Sequence, residues 1–260
     1  MLQHIEQIIS LILSTSVQTF TVFIYALLGG FVPALFWLWF WLHEKQKHNE
    51  PRRVIVKVFL CGMIAVFVSY IFQKLLSLYL ANSISTLGMF DIQAEEQHHH
   101  LLMFIYVIIE EMMKFGAAYV VAFKTKIFDE PIDAFVYLMT AALGFAAMEN
   151  TLYLIQPLIQ GYPIDAIVTG YMRFIGSSVL HVTSSGALSV CIGLSFCKSF
   201  WVRESWIWIG LLIACGIHWA FNIFMVIHNG SSAFLVFSSV WIVTVGLILM
   251  LEKVKQNKCF

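Results

Sequence analysis

The sequence predicts an all-α, polytopic membrane helix bundle of about seven transmembrane helices, preceded by an N-terminal interfacial helix. Three observations carry that reading. Of the 260 residues, 60% are apolar and 12% charged, at a mean hydropathy of +0.84, more apolar surface than a soluble domain of this size buries. The apolar residues fall into separate runs, and a helix rising about 1.5 Å per residue needs roughly 20 of them to cross the hydrocarbon core. The basic residues collect in every second connection between those runs.

Residues 1–16 carry neither a basic start nor a small-residue cleavage site, which argues against a removable signal peptide. Ile5, Ile8, Ile9 and Ile12 mark one helical face and predict a helix lying in the membrane interface. Spans are expected at Val17–Leu42, Val54–Leu80, Leu101–Phe123, Ile132–Gln156, Ala166–Cys197, Ser205–Ile227 and Ala233–Leu251. Residues 17–251 then form one bundle, 252–260 a cytoplasmic tail, and 1–260 a single domain. The fifth run is long enough to be tilted, kinked or partly interfacial. The connection from Ala81 to His100 is expected as a solvated loop, and its consecutive His98, His99 and His100 do not converge on one ion.

Orientation follows from charge. Lys45, Lys47, Arg52 and Arg53 follow the first span, Lys124 and Lys126 the third, Lys198 and Arg203 the fifth, and Lys253, Lys255 and Lys258 the seventh, whereas the alternate connections hold no Lys or Arg. The N-terminus is therefore expected outside and the C-terminus in the cytoplasm of a cell membrane. Of the remaining basic residues, Lys57 and Lys74 can snorkel, while Lys114 and Arg173 lie deeper. A formal charge of zero without a basic stripe excludes a nucleic-acid partner and leaves the lipid bilayer as the surrounding phase. The five cysteines show no CxxC spacing and are expected as small core residues.

Against this apolar background the third run carries Glu110, Glu111 and Lys114 near mid-membrane, where each charge costs about 2.5–3.5 kcal/mol on insertion scales. Four-residue spacing is expected to pair Glu110 with Lys114, leaving Glu111 without a partner in its own helix and therefore the better proton acceptor. Glu149 lies on the fourth span, His181 on the fifth, and His218 and Asn222 one turn apart on the sixth. Four helices thus bring polar groups to one depth. Ala141, Ala142, Gly144, Ala146 and Ala147 before Glu149, and Ser177, Ser184, Ser185 and Gly186 around His181, allow close helix approach. Arg173, two turns before His181, is placed to pair with a carboxylate or steer a substrate backbone.

Such a cluster can hydrolyse an amide in two ways. A Glu can accept a proton from water while His or Asn stabilises the oxyanion. Alternatively His181, His218 and Glu149 hold zinc, with Glu110 or Glu111 as base. The HExxH signature is absent, and Ser177, Ser184 and Ser185, though near a His, have no GxSxG or SxxK context to support them as nucleophiles. An intramembrane endopeptidase is the first reading. A seven-helix receptor or a proton-coupled transporter with a buried Glu/His relay is the alternative, though no pair of broken half-helices marks an inverted repeat.

Glu110-Glu111-Met112-Met113-Lys114 as EExxK, Gly144-Phe145-Ala146-Ala147-Met148-Glu149-Asn150 as GFAxxEN, His181 after Arg173, and His218-Trp219-Ala220-Phe221-Asn222 as HxxxN together resemble the PrsW family of bacterial intramembrane proteases. The resemblance implies membership of the wider group that includes CAAX prenyl proteases. It also implies cleavage of single-span membrane-anchored proteins, such as anti-sigma factors, on the extracytoplasmic side. Position 149 carries Glu where CAAX proteases carry His, Lys114 stands one residue before the Arg of their EExxxR pattern, and Ala134 follows Asp133 where the family often has Gly. PrsW-like proteins are often labelled metalloproteases while their CAAX relatives look glutamate-based, so the resemblance leaves both chemistries open.

Overall fold

The computed structural model describes residues 17–44, 51–87, 92–227 and 233–256, all of whose regular structure is helical. The order is α1 (Val17–Glu44), α2 (Arg52–Leu87), α3 (Ile92–Ala118, continued by a π turn at Tyr119–Phe123), α4 (Asp133–Ile159), α5 (Pro163–Met172), a π turn at Arg173–Ser177, α6 (Ser178–Ser195), α7 (Phe200–Ile227) and α8 (Ala233–Lys255). With α5 and α6 taken as one interrupted helix, six of the seven long helices are apolar enough to cross a membrane: Phe20–His43, Arg52–Leu80, Asp133–Ile159, Pro163–Ser195, Phe200–Val226 and Ala233–Lys255. The charges on α3, including Glu110, Glu111 and Lys114, set it apart from those six. The polytopic bundle is therefore as the hydropathy predicts. The helix expected over 1–16 lies outside the described residues.

The connection expected as a loop from Ala81 to His100 is different. Helix α2 runs on to Leu87 and α3 already begins at Ile92, so most of that stretch is helical. Polar side chains do not end a helix whose backbone groups are already paired, so both helices continue past their apolar segments. The long fifth run also divides. Pro163 opens α5 at a helix N-terminus, where its missing N–H costs nothing, after a turn in which Gly161 has φ 77°. The π turn at Arg173–Ser177 then separates α5 from α6.

The centre of the bundle is α4. Its most apolar window is 89% buried, as is that of α5–α6, against 22% for α1 and 28% for α7 and α8. A helix apolar on all sides belongs in the interior, and α4 packs against α1, α2 and α6, while α6 also packs on α7 and α8. The outer helices turn Phe, Leu, Ile and Trp outward, as with Phe20, Leu28, Trp39, Ile64, Trp208 and Ile242, a surface suited to lipid. Two glycines make the α2–α4 crossing: a Cβ on Gly62 would meet the Ala141 carbonyl, and one on Gly144 would meet that of Phe59. Cys191 and Cys215 are free, buried thiols and Cys61 a free, half-buried one, as expected of core residues, whereas Cys197 is disulfide-bonded, which corrects the reading for that position.

Candidate active site

The charged segment of α3 turns three side chains toward three different helices. Lys114 is fully buried, donates to Glu111 Oε1 at 2.6 Å and lies 2.8 Å from His181 Nδ1 on α6. This overturns the expected Glu110–Lys114 pair. Residues three apart share a helix face as closely as residues four apart, and the ammonium takes the carboxylate that stands beside His181. Glu111 is thus the most heavily partnered carboxylate, for its Oε1 also accepts from Ser184 Oγ at 3.0 Å and from His218 Nδ1 at 2.6 Å. Glu110, rotated about 100° around the helix, is held from α2 instead: Gln73 Nε2 donates to its Oε1 at 3.0 Å, and its Oε2 faces His218 Nε2 at 3.7 Å.

An ammonium only donates, so His181 Nδ1 accepts from Lys114 and its ring proton resides on Nε2. That nitrogen donates to Glu149 Oε2 at 2.8 Å. Arg173 Nη2 reaches the same oxygen at 2.5 Å, while Arg173 Nε donates to Asn150 Oδ1 at 2.6 Å, and Asn150 Nδ2 donates to Ser178 Oγ at 3.0 Å. Arg173 lies in the π turn, and its guanidinium sits 3.9 Å over the Tyr153 ring. A single inserted residue rotates the side chains of a helix, and here Arg173 faces α4. His181 and His218 stand edge to face with centroids 5.1 Å apart.

Glu110, Glu111, Lys114, Glu149, Arg173, His181 and His218 therefore form one connected network, and all but Arg173, which is 14% exposed, are buried. Asn222 is half-buried one turn beyond His218 and takes no part in these bonds. Sequence reasoning missed Gln73. Its signal was a lone amide in an apolar run, spaced four residues from Ser69 and from Ser77. Asn150 was named only as part of a motif, and Ser184 only as a small residue and as an unsupported nucleophile.

Glu111, His181 and His218 each offer a ligand atom, and these atoms lie within 4.8 Å of one another. Among the described residues this is the group able to hold a metal ion, and it contains Glu111 where the sequence reading placed Glu149. The donor set fits: two imidazole nitrogens and one carboxylate suit zinc. Glu111 Oε2 is buried with no hydrogen-bond partner among the described residues, and the Lys114 ammonium already stands as a cation between two of the donors. Glu149 sits behind His181 on its other nitrogen, where a carboxylate orients a ligand imidazole.

The chain is similar to the proteins named Protease PrsW of Geobacillus kaustophilus, at 25% identity over 197 residues covering 75% of this chain and 76% of that protein. The Oceanobacillus iheyensis protein of that name is 27% identical over 165 residues, covering 59% and 69%. The Bacillus subtilis protein is 23% identical over 198 residues, covering 75% and 79%. No solved structure matches. The family pattern described as PrsW family intramembrane metalloprotease matches residues 50–250, well over half of the sequence and every residue of the network. The chain belongs to the PrsW family of intramembrane metalloproteases.

Proposed function

We propose that this protease cleaves a peptide bond of a single-span membrane-anchored protein near the extracytoplasmic side, the substrate class that the resemblance to PrsW proteins implies. The observation that carries the reading is the buried convergence of Glu111, His181 and His218 within 4.8 Å, with Glu110 on the adjoining face. Glu111, His181 and His218 would hold a zinc ion, which when bound would supply Lewis acidity toward a carbonyl and a water. Glu110 acts as the proton acceptor. Glu111 is engaged on Oε1 by Lys114, Ser184 and His218, whereas Glu110 has a single amide donor on Oε1 and His218 Nε2 facing its Oε2 at 3.7 Å. This assignment replaces the expected one, whose premise was an unpartnered Glu111.

Glu110 takes a proton from the water attacking the scissile carbonyl and returns it to the departing amine. Glu149 holds His181 in its tautomer, and Arg173 holds Glu149 and Asn150 together. Asn222, one helical turn from His218, donates its amide to the substrate carbonyl oxygen in this reading. The charge asymmetry of the connections supports an external N-terminus and a cytoplasmic C-terminus. The test is co-expression with a library of tagged single-span membrane proteins. At least one should be cut by the native chain and left intact by Glu110→Gln, Glu111→Gln, His181→Ala and His218→Ala, each present at normal levels. A library whose cleavage pattern none of these changes alters would sink the assignment.

A further inference from the structure

Two buried polar atoms that the reading so far does not use belong to α2. Gln73 is fully buried, and its Nε2 donates both to Glu110 Oε1 at 3.0 Å and to the Tyr106 carbonyl at 3.4 Å. A carboxylate and a carbonyl only accept, so the amide is fixed with its nitrogen toward α3; turned over, it would set oxygen against two acceptors. Gln73 Oε1 is left buried with no partner among the described residues. One turn away on the same face, Ser69 is 1% exposed, and its Oγ is likewise buried and unpaired. The face continues to Ser77, which is half-buried, so it gains exposure in the direction leading away from Ser69.

Buried polar atoms in folded proteins are almost always paired, with ordered water where no protein group serves. Residues four apart on a helix have Cβ atoms about 6 Å apart, a span that one water bridges between two side chains. A hydroxyl and an amide oxygen offer such a water one donor and two acceptors between them, and Glu110 lies on the other end of the same amide.

We propose that Gln73 is a positioning residue for the hydrolysis, itself held in place by a buried water seated between its Oε1 and Ser69, at the end of the amide away from Glu110. It fixes the carboxylate through Nε2 and is anchored on the water through Oε1. The attacking water is a different one: its oxygen bonds to the carbonyl carbon and its proton passes to the Glu110 carboxylate that Gln73 holds. The C–N bond then breaks, and the leaving nitrogen takes that proton. The inference rests on the reading of Glu110 as proton acceptor. Its content is new: the buried water has a seat made by α2, a helix that carries none of the motif residues.

The experiment uses the purified full-length chain with a tagged single-span protein that it cleaves, and measures kcat, KM and the thermal unfolding midpoint. Gln73→Met, close in volume, should lower kcat about 10–100-fold with KM within about twofold, because it disturbs the reacting groups and not substrate docking. Ser69→Ala should lower kcat about 3–10-fold and also lower the midpoint, since it removes a satisfied water contact. A dry hydroxyl predicts the opposite, an unchanged kcat and a raised midpoint, and that result overturns the water seat even if Gln73→Met does not fold. Full activity in Gln73→Met beside a dead Glu110→Gln chain also overturns it while leaving the protease reading intact. An active Glu110→Gln chain would instead remove the reading on which it rests.

Discussion

Within the EExxK segment, spacing alone leaves two carboxylates open to the lysine, since positions three and four residues back are both neighbours on a helix surface. The choice of Glu111 is made by α6 and α7, which bring His181 and His218 to that side. No local rule contains this information, so the sequence indicated which residues meet but not how they divide. The division has a consequence that metal content can report without any substrate. Glu111→Gln and His181→Ala remove donors from the convergent group and should leave the purified chain without stoichiometric zinc, whereas Glu110→Gln should retain zinc and lose turnover. Glu149→Gln weakens the hold on His181 and should lower zinc affinity about 10–100-fold, the usual effect of a lost outer partner. Zinc lost from Glu110→Gln but kept in Glu111→Gln would reverse the two roles.

The helices themselves were legible because a membrane permits little else: each apolar run long enough to span appears as a helix. Their ends were less so. The apolar pattern of α3 marks where lipid contact begins, at about Leu101, but the backbone has no reason to unwind there, and the helix starts at Ile92. The π turn at Arg173 was invisible too, since inserting one residue leaves hydropathy unchanged while it rotates every side chain beyond. Close packing was readable as small residues before Glu149, and the structure makes one of them testable. Gly144→Ala would drive a Cβ into the Phe59 carbonyl and should cost about 1–3 kcal/mol as overpacking. Gly246 on α8 has nothing within 4 Å of such a Cβ, and Gly246→Ala should stabilise by about 0.5–1 kcal/mol through helix propensity. Thermal unfolding of both variants in one detergent checks the contrast; equal midpoints would mean that α2 and α4 do not touch at Gly144.

Over the whole molecule, the charge pattern and the site fix one another's position. Fourteen residues separate Glu110 from Lys124, fifteen separate Arg203 from His218, and seventeen separate His181 from Lys198. At about 1.5 Å per residue these are roughly 21, 23 and 26 Å of helix, measured on three helices from basic residues at the same end of the bundle. In a hydrocarbon core about 30 Å thick, groups that far from one boundary lie in the opposite half. If the basic end is cytoplasmic, the network sits in the outer half of the membrane, within reach of a bond near the extracytoplasmic face. Labelling intact cells with an impermeant thiol reagent tests this: Ser83→Cys, in the connection without Lys or Arg, should react from outside, while Lys124→Cys should react only after the membrane is opened, each read against the unsubstituted chain. The reverse pattern would place the same residues in the cytoplasmic half, and the substrate bond would then have to be sought on that side.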